Sequence, residues 1–147
     1  MQPKYRLRVF LDSNVIFSGL YSSAGAPGKI LEWFMEGRLM MVISKQVLDE
    51  VVRTIKEKLP GALPALRKLL ISTPPEVTKD PPLEEVTLWA KVIDAEDAAI
   101  LAAAVASQPN YLITGDKHFF DNPDISEKSG LNIVTPAEFV KRLASSR

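Results

Sequence analysis

The chain has 147 residues, 46% of them apolar, and its 18 acidic and 18 basic side chains give a formal net charge of zero. This length supports one domain with a sizeable core and is too short for two ordinary domains, so we predict a single domain over residues 1–147. The balanced charge excludes a global positive field that would draw the protein onto nucleic acid or a membrane. Any such binding must depend on a local patch.

Cysteine content and hydropathy indicate the cellular compartment in which the protein is expected. The chain contains no cysteine, which excludes disulfides and thiolate metal sites and suits a reducing compartment. The apolar run near the N-terminus is interrupted by Asp12 and Asn14 before it could form the apolar part of a signal peptide. No stretch approaches the roughly 18 apolar residues of a membrane span. We therefore expect a cytoplasmic protein with no membrane partner.

The first half of the chain alternates short apolar runs with amphipathic segments. One helix should place Ile30, Leu31, Phe34 and Met35 on a single face, and Ser44 is well placed to cap another. The predicted elements are a strand over residues 9–11, a short helix after Asp12, a helix over 27–37, a strand over 39–43, a helix over 45–59 and a short helix over 63–72.

The second half repeats this alternation after a proline-rich connection, "TPPEVTKDPPLEE", which holds at most a short edge strand near Val77. The predicted elements are helices over residues 83–92 and 96–106, strands over 111–114 and 133–134, and a helix over 136–144. Buried strands that alternate with amphipathic helices indicate a parallel sheet covered on both faces. We predict an α/β fold, a three-layer α/β/α sandwich with about five short, mainly parallel strands.

Acidic residues follow two of the predicted strands. Ligands of open parallel sheets bind outside the carboxyl ends of the strands, and Asp12 and Asp116 each come directly after or close to such an end. Asp97 shares a helical face with Ile100 and other apolar residues, so it faces the interior at the N-terminal end of its helix. Asp94 lies three residues earlier on the same side.

Periodicity leaves a fourth acid open, because Asp49 and Glu50 flank the apolar stripe of their helix on either side. Singly, each acid has an ordinary explanation as a helix cap, a turn residue or a solvated side chain. Together, three or four carboxylates at one rim would repel one another unless a cation lay among them. Oxygen ligands without a His or Cys cluster favour Mg²⁺ or Mn²⁺ over zinc.

Four segments in order, "VFLDSNVIF", "LDEVV", "DAEDAAILAAA" and "YLITGDKHFF", resemble the PIN-domain nucleases over nearly the whole chain. The resemblance implies a parallel sheet between helices, with acids at one end that bind magnesium or manganese and cut RNA. It matches the family's acids to Asp12, Glu50, Asp97 and Asp116, with Asp94 as an accessory. It also implies that Asp12, Asp97 and Asp116 hold the principal metal, while Glu50 anchors a second ion or orients the attacking water.

Within that family, the chain is most similar to a subgroup described as toxin components of toxin–antitoxin pairs. This similarity implies a small antitoxin partner and a homodimer. RNA processing or turnover is equally compatible with the chemistry, and a non-catalytic module that binds RNA or protein is a further alternative. A further alternative is an enzyme that carries a phosphate on its own Asp12 during the reaction. Such an enzyme would need a second acid two residues later, where this chain has Asn14. In the toxin subgroup, an acid often follows the basic residue after "TGD", and this chain has His118 in that place. The number of carboxylates, and with it the number of metal ions, is therefore left open.

Polar and aromatic residues beside the acids complete the predicted site. Ser13, Asn14 and Thr114 could hydrogen-bond ligands or phosphate, although these residue types also suit ordinary turns. Lys117 and Lys29 could contact an RNA backbone, although solvated surface lysines are common. The single histidine could be a solvent-exposed rim residue, touch the scissile phosphate or support a ligand. We expect the four aromatic residues Trp33, Trp89, Phe119 and Phe120 to pack or to anchor the site loop, not to stack on bases.

Overall fold

The computed structural model describes residues 6–145, and a five-stranded parallel sheet forms its centre. The strands are β1 (Leu7–Leu11), β2 (Leu39–Ser44), β3 (Glu76–Thr78), β4 (Tyr111–Ile113) and β5 (Ile133–Val134). Their order across the sheet is β3-β2-β1-β4-β5, and every neighbouring pair is parallel. All five carboxyl ends therefore lie along one edge of the sheet.

Helices connect the strands and follow the last one. Those of the described residues are α1 (Ser13–Tyr21), α2 (Ala26–Met35), α3 (Lys45–Lys58), α4 (Leu63–Ser72), α5 (Leu83–Trp89), α6 (Ala95–Ser107), α7 (His118–Asp121), α8 (Pro123–Ser129) and α9 (Pro136–Ser145), with a 3₁₀ turn over Pro60–Ala62. None of them is long and apolar enough to cross a membrane.

The predicted three-layer α/β/α sandwich with five short strands is confirmed. Connections between parallel strands are right-handed, so the reversal of direction after β3 places the helices between β1 and β3 on one face of the sheet and those between β3 and β5 on the other. The central strand β1 is covered on both sides, and Val9, Phe10 and Leu11 have no exposed surface. This explains why the strand is a continuous apolar run without alternation.

Side-chain caps determine where the helices near the carboxyl edge begin. Asp12 caps α1, Ser44 caps α3 by accepting a hydrogen bond from the Val47 amide at 3.2 Å, and Asp94 caps α6. Each cap comes at or near the end of a strand or loop on the same edge of the sheet. The N-termini of these helices therefore point toward the region where the acids gather.

Arg8 holds the opposite end of the sheet together. Its guanidinium group forms two hydrogen bonds with the Glu76 carboxylate, at 2.8 and 2.9 Å, and its Nε donates to the Ser107 carbonyl at 2.9 Å. These contacts join β1 to the edge strand β3 and to the end of α6. The salt bridge and hydrogen bonds of Arg8 thus tie the amino end of the central strand to its surroundings.

Several local expectations differ from the structure. The helix predicted over residues 83–92 ends at Trp89, and two short helices, α7 and α8, follow β4 where none was predicted. Met35 and Phe120 were expected to pack, but their exposed fractions are 49% and 39%. Trp33 is buried, as expected, and Trp89 packs partly against the core. The proline-rich connection does hold an edge strand, β3, at Val77.

The close approach of α2 to the loop before it gives a test of the packing. At Gly28 an added Cβ would lie 2.6–2.7 Å from backbone atoms of Ser23, whereas at Gly61 it would meet nothing within 4 Å. We expect Gly28→Ala to lower the free energy of unfolding by about 1–3 kcal/mol, since backbone cannot yield as a flexible side chain can. Gly61→Ala is the matched control and should be neutral or slightly stabilising. Equal urea midpoints for the two variants would contradict the packing.

Candidate metal centre

The candidate site lies at the carboxyl ends of β1 and β4. The chain runs from β1 through β2 to β3 in one direction along the sheet and then returns to β4 and β5 on the other side of β1. The gap between β1 and β4 is therefore the topological switch point, where connections leave in opposite directions and open a crevice. Asp12 follows β1, and Asp116 lies three residues after β4.

Asp12 is the most buried acid of the site, with 3% of its surface exposed. Its Oδ1 accepts a hydrogen bond from the Ser13 amide at 2.8 Å, and its Oδ2 accepts from Asn14 Nδ2 at 3.1 Å and from Thr114 Oγ1 at 2.8 Å. Burial raises the pKa of the Asp12 carboxyl above its ordinary value, and the hydrogen bonds from Thr114 and Ser13 oppose that rise. The nearby Glu50 carboxylate raises this pKa further.

Asn14 and Thr114 join the two strand ends. The Gly115 amide donates to Asn14 Oδ1 at 2.9 Å, and the Asp116 amide donates to Thr114 Oγ1 at 3.0 Å. A Cβ at Gly115 would lie 3.3 Å from Asn14 Oδ1, so a side chain there would press on the amide it hydrogen-bonds. The side-chain groups of Asn14 and Thr114 are thus engaged in holding Asp12 and the loop of Asp116.

The structure distinguishes the two acids that periodicity left open. Glu50 is partly buried, and its carboxylate accepts hydrogen bonds from Ser13 Oγ at 3.0 Å and from Gln46 Nε2 at 3.1 Å. Asp49 is exposed and lies beside Arg53 in a surface groove on another side of the helix. Glu50 therefore faces the crevice, as the family resemblance implied.

Gln46 is a residue of this site that the sequence reasoning missed. Besides holding Glu50, its Nε2 lies 3.3 Å from the Glu96 carbonyl at the start of α6. One amide group thus links α3, which carries Glu50, to α6, which carries Asp97. The only sequence signal was a glutamine one turn before a candidate acid, a spacing that places both on one helical face.

Asp97 is buried at the N-terminal end of α6, with 9% of its surface exposed, as its helical spacing predicted. Burial, followed by the negative charges of Asp116 and Asp94, raises the pKa of Asp97 to about 6. A weaker contribution comes from Asp12 across the crevice, and His118 opposes the rise. The four predicted acids therefore act on one another electrostatically, with Asp12 coupled to Glu50 and Asp116, and Asp97 coupled to Asp116 and Asp12.

His118 is the basic group in contact with these acids. Its Nδ1 lies 3.2 Å from Asp116 Oδ1 and 3.3 Å from Asp97 Oδ2, and its backbone amide donates to Asp116 Oδ1 at 2.9 Å. The Asp116 charge and the hydrogen bond with Asp97 raise the pKa of the imidazole. The side chain is 62% exposed, so His118 is a rim residue that nevertheless reaches the acids.

The tightest group of ligand atoms differs from the predicted quartet. Among residues 6–145, one donor atom from each of Asp94, Asp97 and His118 lies within 4.8 Å of the other two. Asp94, an accessory in the sequence prediction, is thus as close to Asp97 as a ligand of the same ion would be. Carboxylate oxygens with one imidazole nitrogen suit a divalent cation. Burial is the largest cause of the raised pKa of Asp97, and the negative charges of Asp116 and Asp94 add a repulsion that such an ion would relieve.

The two lysines proposed to contact RNA differ in position. Lys117 is exposed in the loop between Asp116 and His118. Lys29 lies on α2, with its Nζ 3.6 Å from Glu32 Oε2 and 5.8 Å from the ring centroid of Trp33. Lys29 therefore has local partners on its own helix, and Lys117 remains the lysine at the rim. Phe119 next to it is buried, so it anchors the loop, whereas Phe120 does not.

A doubly wound parallel sheet with carboxylates gathered at its switch point defines an α/β domain with an acidic crevice that could hold a metal ion. A family model described as the PIN domain matches residues 8–118, which include every candidate acid. The chain belongs to the PIN domain family. Members of this family are nucleases that use divalent metal ions.

One protein sequence and two solved structures are similar to the chain over most of its length. The uncharacterised protein MJ1680 of Methanocaldococcus jannaschii is 26% identical over 144 residues, which cover 94% of this chain and 92% of that protein. The crystal structure of PAE2754 from Pyrobaculum aerophilum has a TM-score of 0.62 and 24% identity, covering 95% of this chain and 90% of the other. The crystal structure of VapBC2 from Rickettsia felis, bound to a DNA fragment from its promoter, has a TM-score of 0.60 and 17% identity. The similarity covers 88% of this chain and 98% of the other.

The raised pKa of Asp97 predicts how stability depends on pH in metal-free protein. Because the folded pKa of about 6 exceeds the ordinary value of 3.8, the protonated side chain contributes stability that is complete below about pH 3.8 and is lost as pH rises through about 6. Asp97→Asn avoids this loss, so its stability relative to wild type should increase between pH 4 and 7. We expect a gain of about 1–2 kcal/mol, less than the full shift implies because solvent screens the neighbouring charges.

Chemical denaturation at several pH values in EDTA measures this difference. Glu96→Gln removes an exposed carboxylate from the same helical turn and controls for the change in net charge. A stability difference between Asp97→Asn and wild type that stays constant from pH 4 to pH 7 would contradict the electrostatic description of the site.

Proposed function

We propose that this protein is a divalent-metal-dependent ribonuclease that hydrolyses RNA phosphodiester bonds and leaves 5′-phosphate and 3′-hydroxyl ends. The observation that carries the proposal is the convergence of five carboxylates, from Asp12, Glu50, Asp94, Asp97 and Asp116, on one crevice at the switch point. Within residues 6–145, His118 is the one basic side chain that pairs with any of them. Such a concentration of negative charge is suited to a bound cation.

Asp12, Asp97 and Asp116 would hold the principal ion, with Asp94 as an accessory acid. These residues come from three separate segments that the sheet and α6 bring to one place. When bound, a divalent ion activates water, neutralises the phosphate and stabilises the leaving oxygen. Magnesium and manganese both suit the carboxylate ligands.

Glu50 would orient the attacking water or anchor a second ion. Ser13 and Gln46 each donate to one carboxylate oxygen, at 3.0 and 3.1 Å, and so hold the group toward the crevice. A carboxylate positioned in this way can accept a hydrogen bond from water and take its proton as the water attacks. Since water and not the ribose 2′-hydroxyl attacks, the products carry a 5′-phosphate and no cyclic phosphate.

The remaining polar residues divide into two roles. Asn14 and Thr114 use their side chains to hold Asp12 and the loop of Asp116, so they support the acids and do not themselves bind phosphate. Lys117 is exposed at the rim and is the residue we assign to the RNA backbone. With zero net charge on the chain, such a local contact has to supply the electrostatic attraction.

The first test is cleavage of end-labelled single-stranded and structured RNAs with Mn²⁺, with Mg²⁺ or with EDTA. We expect wild type to cut only with metal, and Asp97→Asn and Glu50→Gln to lose at least about a hundredfold in rate, the scale of a lost catalytic group. Glu96→Gln and Asp49→Asn are matched controls, because each removes an exposed acid next to a candidate one. They should cut at nearly the wild-type rate.

Three outcomes would contradict the proposal. Cleavage that persists in EDTA would contradict the requirement for a metal ion. Products with 2′,3′-cyclic phosphate ends would contradict water as the attacking group. Folded wild-type protein that binds Mn²⁺ but cuts no RNA would favour the non-catalytic binding module. Circular dichroism of each variant separates loss of activity from loss of fold.

We further propose that the protein is the toxin of a toxin–antitoxin pair. Support comes from the similarity of its fold to VapBC2 of Rickettsia felis and from the family resemblance of its motifs. The partner would be a small antitoxin that covers the acidic crevice, and the toxin would form a homodimer. RNA processing or turnover remains the alternative function for the same chemistry.

Expression in a bacterial host tests the toxin role. Wild type should arrest growth, and Asp97→Asn should not, because the arrest depends on RNA cleavage. Co-expression of the small protein encoded beside this gene should restore growth and copurify with the wild type. Unchanged growth and no copurification would count against the toxin role and leave the ribonuclease chemistry intact.

A further inference from the structure

We infer that His118 is a direct ligand of the bound ion through Nδ1 and that this nitrogen gives the centre a preference for Mn²⁺ over Mg²⁺. The inference rests on the proposed metal centre and goes beyond it, since the family resemblance implies carboxylate ligands alone. His118 stands where the related toxin subgroup often has an acid. The substitution thus replaces an oxygen ligand by a nitrogen ligand and should change which ion is bound.

The distances around the imidazole are those of neighbouring ligands on one ion. Nδ1 lies 3.3 Å from Asp97 Oδ2 and 3.2 Å from Asp116 Oδ1. Adjacent ligands of an octahedral ion bound at about 2.1 Å are roughly 3 Å apart. His118 also belongs to the tightest group of donor atoms, with Asp94 and Asp97, in which all three atoms lie within 4.8 Å. An ion held by Asp94 and Asp97 would therefore have His118 beside it.

The position of the imidazole is set by the backbone. His118 is the first residue of α7, and its amide donates to Asp116 Oδ1 at 2.9 Å. The next residue, Phe119, is 1% exposed and packs into the core. The main chain at His118 is thus held on both sides, by a candidate ligand and by a buried ring. An imidazole presented in this way needs little ordering when the ion binds.

The chemistry of the donor determines the preference. Mg²⁺ takes oxygen ligands almost exclusively and keeps several waters, whereas imidazole nitrogen suits transition-metal ions. Mn²⁺ accepts both carboxylate oxygen and imidazole nitrogen, so the mixed group should bind Mn²⁺ better than an all-oxygen group would relative to Mg²⁺. His118→Asn gives the matched variant, since the asparagine is neutral and can present an oxygen near the position of Nδ1.

Calorimetric titration of the full chain with Mn²⁺ and with Mg²⁺, at about pH 8 where protons compete less with a metal for the imidazole, measures the preference. His118→Asn should weaken Mn²⁺ binding by about tenfold or more, the scale of a lost ligand contact, and change Mg²⁺ binding by less than about threefold. Asp121→Asn, an exposed acid of the same short helix, is the control and should leave both affinities unchanged. Pulsed electron paramagnetic resonance of bound Mn²⁺ should detect ¹⁴N coupling in wild type and lose it in His118→Asn.

The outcomes separate this inference from the proposed function. Bound Mn²⁺ without ¹⁴N coupling, and an unchanged ratio of affinities in His118→Asn, would overturn the ligand role and leave the metal centre standing. If these metal-binding results are accompanied by a raised KM for RNA in His118→Asn, His118 would contact the RNA phosphate and not the ion. Wild type that binds neither ion would overturn both proposals. Loss of coupling together with loss of Mn²⁺ preference supports direct ligation.

Discussion

The hydrogen bond from Thr114 Oγ1 to Asp12 Oδ2, 2.8 Å long, is the contact on which the arrangement of the site depends. It joins the residue after β1 to the residue after β4, and both side chains are buried. These two strands are neighbours in the sheet although about 100 residues separate them in the chain. Because the connections leave this point in opposite directions, a crevice opens here, and acids from α3, α6 and the loop after β4 can gather around Asp12.

Burying carboxylates and packing them so closely has an electrostatic cost. Burial, followed by the charges of neighbouring acids, raises the pKa values of Asp12 and Asp97. The fold bears that cost because hydrogen-bond donors hold the acids in place. Ser13 serves both Asp12 and Glu50, and Gln46 ties Glu50 to the start of α6. On the proposed function the same negative charge has two effects: it attracts a divalent ion, and it repels RNA phosphates until that ion is bound. Metal would then be required for substrate binding as well as for hydrolysis.

The predictions that succeeded rest on strong local patterns. The buried strand at residues 9–11, the stripe of α3 and the inward position of Asp97 all follow from apolar spacing, and the structure agrees. The predictions that were wrong concern short elements and single side chains, whose structure depends on only a few contacts. Helices as short as α7 and α8 are not stable by themselves and form here because Phe119 and Ile125 are buried. Met35 lies at the end of α2, where periodicity places it on the apolar face, but none of the elements within residues 6–145 covers it.

The sequence by itself determined the order of strands and helices, the fold class and the positions of Asp12, Asp97 and Asp116 at strand or helix ends, because these depend on periodicity and on short-range capping. Periodicity could not choose between Asp49 and Glu50, and only the tertiary structure showed which of them has partners at the site. It also introduced Gln46 and brought His118 against Asp97 and Asp116. Each of those outcomes depends on side chains from segments distant in the chain. Hydrogen bonds and charge pairs of that kind have no periodic signature, so they exist only once the parallel sheet has placed the segments side by side.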